Sequence, residues 1–211
     1  MKFKIVSLFV LCAILISCGT SRQGGKKQRK GTKAQVVLTP EQQRKYDYFF
    51  LEASRLKMKD DYSAAFDLLQ HCLTINPNAS SALYEISQYY MYLKQVPQGQ
   101  AALEKAVEND PDNYWYSQGL ASLYQQQNEM QKATNLLENM ATRFSDRMDP
   151  LYSLLDISNR LEEYDNVITT LNRLEEKMGK NEQLSMEKFR IYLQKKDNQS
   201  AFREIESLVE E

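Results

Sequence analysis

Three cysteines and one histidine are the side chains of this sequence most suited to chemistry, and each sits in a different setting. Cys12 lies within an apolar run, Cys18 follows that run, and Cys72 and His71 are neighbours far downstream. Three cysteines so placed do not make a disulfide framework. His71 has no partner histidine at helical spacing, and the chain holds no Cys-x-x-Cys, no glycine-rich phosphate loop and no serine in a Gly-x-Ser-x-Gly turn. Asp110-Pro111-Asp112-Asn113 has the oxygen ligands of a calcium loop, but proline at its second place and the lack of a closing glutamate make it a turn. The sequence therefore predicts no catalytic residue, no metal and no cofactor. An enzyme is not expected.

The elements that carry these residues repeat. With Tyr46, Ser80, Tyr114, Met148 and Glu182 as first positions, the chain from 46 onward has a period of 34 residues without an insertion. Position 24 reads Leu69, Leu103, Leu137, Leu171, Ile205, and position 27 reads Cys72, Ala106, Met140, Leu174, Leu208. Position 20 is Ala65, Gly99, Ala133, Val167, Ala201. Positions 20, 24 and 27 share one helix face, and positions 4, 8 and 11 share a face of another helix, so each unit is predicted to be two amphipathic helices. Small residues at 8 and 20 let the two approach. Asn76-Pro77-Asn78 and Asp110-Pro111-Asp112 end the units, because proline cannot continue a helix. Cys72 falls in a core column, where it acts as a small hydrophobe.

Length 34, alanine at 8 and 20, an aromatic at 11 and proline at 32 resemble the tetratricopeptide repeat (TPR) family. The resemblance covers 41–211, with repeats at about 46–79, 80–113, 114–147, 148–181 and 182–211. It implies an all-α fold, a TPR α-α solenoid in which antiparallel helix pairs form a right-handed superhelix. The fourth repeat departs, with Leu155 at 8, Ser158 at 11, Val167 at 20 and Gly179 at 32, and the fifth has Phe189 at 8. In the family the first helix of each pair lines a concave groove through positions 2, 5, 9, 12 and 13. Carried over, those positions give Phe50, Tyr84, Gln88, Tyr92, Trp115, Gln118 and Tyr152 as the expected partner-binding groove. Aromatic faces with an amide rim suit a protein or peptide ligand. The clamp that some TPR domains use for a carboxyl terminus is missing, since Phe50, Ser54, Tyr84, Glu85 and Gln88 stand at its positions.

The front of the chain differs. Met1-Lys2-Phe3-Lys4 is positive, and Ile5 to Ile16 is an apolar run of 12 residues, short of the ~20 that a span requires. This is the order of an export signal. Leu15-Ile16-Ser17-Cys18 resembles the lipobox of bacterial lipoproteins, which implies a signal peptide over 1–17 and a lipid on Cys18, where two or three acyl chains anchor stably. In a bacterial lipoprotein the triplets Asn78-Ala79-Ser80 and Asn198-Gln199-Ser200 carry no sugar. Residues 18–40 form a lipidated, basic, flexible tether with a root-mean-square span on the order of 25 Å. Its six positive charges leave it either solvated or touching lipid headgroups. Residues 1–40 hold eight Lys or Arg and no acid, so the repeat body carries 19 basic against 28 acidic groups, a net of −9. The basic tether suits the periplasmic side, and the chain is expected at the cell envelope on the outer membrane facing the periplasm, without nucleic acid as a partner.

Thr39-Pro40-Glu41-Gln42 predicts a capped helix start, with the first helix running to about Lys59. At the far end Phe202, Ile205 and Leu208 lack a following polar helix. They meet their own repeat, a partner through self-association, or further repeats. The sequence is read as an envelope scaffold or adaptor. The alternative is an accessory or ligand-binding lipoprotein of an envelope enzyme or transport system.

Overall fold

In the computed structural model, residues 37–209 are described, so the expectations for the signal peptide and Cys18 lie outside the described residues. Ten helices follow one another there: α1 Pro40–Lys57, α2 Tyr62–Ile75, α3 Ser80–Tyr92, α4 Val96–Asn109, α5 Tyr114–Gln126, α6 Met130–Arg143, α7 Asp149–Arg160, α8 Tyr164–Met178, α9 Glu182–Gln194 and α10 Asn198–Val209. Each packs chiefly on the helices next to it in sequence. That nearest-neighbour stacking is an α-solenoid. No helix among the described residues is long and apolar enough to cross a membrane.

Local chemistry starts and stops these helices. Thr39 Oγ1 accepts the Gln42 N–H, and Gln42 Oε1 accepts the Thr39 N–H, which completes the capping box expected there. Asp61, Asn113 and Asn181 cap α2, α5 and α9 through their side chains. α1 ends at Lys57, two residues before the expected Lys59, because the chain turns left-handed at Asp60. The same turn joins the two helices of every pair. Asp60, Lys94, Asn128, Glu162 and Lys196 all have positive φ, each 34 residues from the last. The residue after each donates its N–H to the carbonyl five residues back, Leu56, Tyr90, Tyr124, Ser158 or Tyr192, at 2.8–3.0 Å. This Schellman arrangement satisfies carbonyls that the helix end leaves open.

The expected columns are buried. At position 20 Ala65, Gly99, Ala133, Val167 and Ala201 are buried, and so are the small residues Ala53, Ser87 and Ala121 at position 8 of the first three pairs. At Gly99 the helices are so close that a Cβ would lie 3.1 Å from the Ser87 carbonyl oxygen. A second buried column, which the 4-8-11 pattern does not include, runs through positions 3, 7 and 10: Ala82, Ile86, Tyr89; Leu120, Leu123; Leu154, Ile157; Leu184, Ile191. It packs each pair onto the one before, as when Phe66 of α2 meets the rings of Tyr89 and Tyr90 at 5.9 and 5.5 Å. In α1, which has no described pair before it, the same positions hold Tyr48, Glu52 and Arg55, the last two joined as an ion pair. In α10 Phe202 is exposed, while Ile205 and Leu208 are half-buried.

One member of the second column is charged. Lys188 stands where α3, α5 and α7 place Ile86, Leu120 and Leu154, and it is only 3% exposed. Its ammonium meets Glu175 of α8 at 2.8 Å and Glu204 of α10 at 2.9 Å. Burial alone pushes its pKa down, but the two carboxylates outweigh that and leave it raised. The last pair is thus joined to the stack through an ionic contact.

Candidate partner-binding face

The first helices of the pairs, α1, α3, α5, α7 and α9, form one layer. Side chains tie it together: Tyr46 and Ser81 hydroxyls lie 3.0 Å apart, Lys57 meets Glu85 at 2.7 Å, and the Tyr114 hydroxyl donates to Asp149 at 3.3 Å. The seven residues expected to form a groove all fall on this layer, but they are not equivalent.

Tyr92, Trp115 and Tyr152 present open rings, 82%, 61% and 47% exposed. Phe50 and Tyr84 are half-buried and already have aromatic neighbours. Phe50 stacks on Tyr46 at 6.0 Å, and Tyr84 lies 4.8 Å from Tyr116 and against Gly119 of α5. Tyr84 is a bridge between α3 and α5. Gln88 is exposed and donates to the Ser87 hydroxyl, whereas half-buried Gln118 lines a narrow cleft of about 50 Å³ with Ser122, Gln125 and Ser153.

Trp115 is set in a cluster. The Arg147 guanidinium lies 3.9 Å above the Tyr114 ring and 5.4 Å from that of Trp115, and Phe144 meets Tyr114 edge-on at 5.2 Å. Arg147 Nε also meets Asp149 at 3.4 Å. The arginine is the last residue of its repeat, so the column rule for first helices did not include it. Its cation–π contact holds the indole's neighbourhood in place while Trp115 itself stays mostly in water.

Tyr152 opens onto a larger cavity of about 720 Å³ between α7, the end of α8 and α9. Leu155, Met178, Met186, Glu187 and Arg190 join it there. The expected groove residues come from the first four repeats. Continuing positions 5 and 9 into the fifth gives Met186 and Arg190, so the signal for these two was present. Met178 was not legible, because it is the last residue of α8, a second helix, and so lies outside the first-helix columns.

The lone His71 is exposed and lies 5.5 Å from the Phe49 ring, and Cys72 is buried, its thiol pushed up to about 11 by desolvation. Among the described residues no group of His, Cys, Asp or Glu is arranged to hold a metal.

No protein-family model matches the chain, and no curated protein does. Solved structures do. MamA is 17% identical, with 80% of this chain and 92% of that chain covered at a TM-score of 0.58. MamA from Desulfovibrio magneticus RS-1 is 13% identical, with 79% and 94% covered at 0.54. YrrB, described as a TPR protein with an unusual peptide-binding site, is 12% identical, with 77% and 84% covered at 0.55. At these identities the likeness concerns fold. The helical body of this chain has the TPR solenoid fold.

Proposed function

We propose that this chain is a non-catalytic scaffold that binds other proteins through the concave, first-helix face of its solenoid while a lipid on Cys18 holds it at the bacterial envelope. The observation that carries the binding half is the row of open rings, Tyr92, Trp115 and Tyr152, on one layer. Such rings expose large apolar area at small entropic cost, which is how most interface energy is concentrated. The peptide site ascribed to YrrB, a protein of the same fold, supports a peptide or protein ligand. The anchoring half rests on the order of charge, apolar run, Ser17 and Cys18 in the sequence. We read five repeats after a tether that keeps them clear of the lipid, at an outer membrane and facing the periplasm.

Two experiments test the halves separately. A photo-crosslinking residue at Trp115 or Tyr152 should capture a defined envelope protein in cells, and one at Asn139 on the second-helix layer should not. Equal capture at all three positions would remove the binding reading. Labelled palmitate should enter the chain and be lost in Cys18→Ser; incorporation that survives this substitution would remove the anchor.

A further inference from the structure

The fourth and fifth repeats break the small-residue rule at position 8, where Leu155 and Phe189 replace Ala53, Ser87 and Ala121. The cavity of about 720 Å³ opens at that point, with Leu155 in its wall. Its size lies within the ~300–1,000 Å³ usual for ligand sites. Its apolar lining joins Leu155, Leu171 and Leu184 to three side chains that are themselves half open to water: Tyr152, Met178 at 48% and Met186 at 36% exposure. The Tyr152 hydroxyl donates to the Met178 sulfur at 3.3 Å. Unbranched methionines with rotatable stems reshape to the group that enters.

The rim is acidic. Glu182 and Glu187 face one cation, Arg190, which Glu187 already engages at 3.2 Å. Lys180 is close in sequence but reaches away to the Ser207 hydroxyl. Among the described residues no cation pairs with Glu182. Further along α7, Asp156 adds a carboxylate that Arg160 meets only at 3.9 Å.

We propose that this cavity receives one bulky apolar side chain of a partner segment whose adjacent residues are lysine or arginine. The apolar residue enters between Tyr152, Met178 and Met186, and the basic neighbour lies against Glu182. This rests on reading the first-helix layer as the partner groove, and it names what that groove takes between α7 and α9. The acidic balance of the repeat body steers the same kind of partner from a distance.

The probe is a displayed library of random twelve-residue peptides, selected on the full chain kept in mild detergent. Selected peptides should carry an aromatic, leucine or methionine beside lysine or arginine. Their affinity should fall at least tenfold on Met186→Ala or Tyr152→Ala, and Glu182→Lys should weaken them while relaxing the preference for basic neighbours. All three side chains are exposed, and unchanged far-ultraviolet circular dichroism will show that the variants fold. Peptides that quench Trp115 fluorescence yet bind these variants as well as the parent chain would overturn the cavity proposal and leave the groove standing. Peptides with acidic neighbours would overturn the charge assignment. Failure to select any peptide would overturn both readings, as would a small apolar molecule seen by native mass spectrometry and lost in Met186→Ala.

Discussion

The left-handed residues between paired helices are Asp60, Lys94, Asn128, Glu162 and Lys196, with φ between 56° and 62°. None is glycine, although a side chain there costs about 1 kcal/mol or more of steric strain. Lys94→Gly and Glu162→Gly should therefore raise stability by about 0.5–1 kcal/mol each, since relief of strain exceeds the added freedom of the unfolded chain. Thermal unfolding will check this, and Lys94→Val should shift the midpoint the other way. These turns were not legible in the sequence. Glycine is the usual sign of a positive φ, and here the backbone hydrogen bonds impose it on four other residue types. Cys72 makes a second residue-scale case. Its thiol is fully buried and raised to about 11, so iodoacetamide at pH 8 should leave it intact in the folded chain and modify it after denaturation, read by peptide mass spectrometry.

Between helices, the contact that decides the most is the Lys188 junction of α8, α9 and α10. Lys188→Ala would leave Glu175 and Glu204 facing each other in the interior, a loss of about 3–5 kcal/mol. Hydrogen exchange should then show α9 and α10 opening before the other helices. Replacing all three with Leu, Val and Leu should be neutral or stabilising, because apolar packing removes the desolvation cost. The pH sign follows from the raised pKa: the lysine's contribution is complete below the ordinary lysine range and is lost only as pH rises through the higher folded value. Protection of α9 should accordingly hold at neutral pH and fall in strong alkali. The columns at 20, 24 and 27 were legible because leucine or isoleucine recurs at 24, and small or apolar residues at 20 and 27, every 34 residues. The 3-7-10 column was not, since Glu52, Arg55 and Lys188 interrupt it. Those interruptions have physical meaning: the first two face water at the front of α1, and the third marks the ionic joint.

For the helical body as a whole, stability is close to a sum over neighbouring pairs, so damage in the middle should separate the two sides. Leu154 is 2% exposed in the second column of α7. Leu154→Ala should cost about 2–5 kcal/mol and turn one unfolding transition into two, followed by circular dichroism in urea. Of the candidate site, the layer was legible and the division of labour within it was not. Tyr92, Trp115 and Tyr152 share a periodic pattern with Phe50 and Tyr84, yet only packing decides which rings remain open. The cavity beside Tyr152 depends on Met178, the last residue of α8, outside any column. The five Schellman turns have one more consequence. Their tips are exposed, share one backbone geometry and tolerate varied side chains. Paired fluorophores attached at Lys94 and Lys196 would therefore serve as a ruler along the superhelix, reporting by energy transfer whether it lengthens like a spring when a ligand arrives.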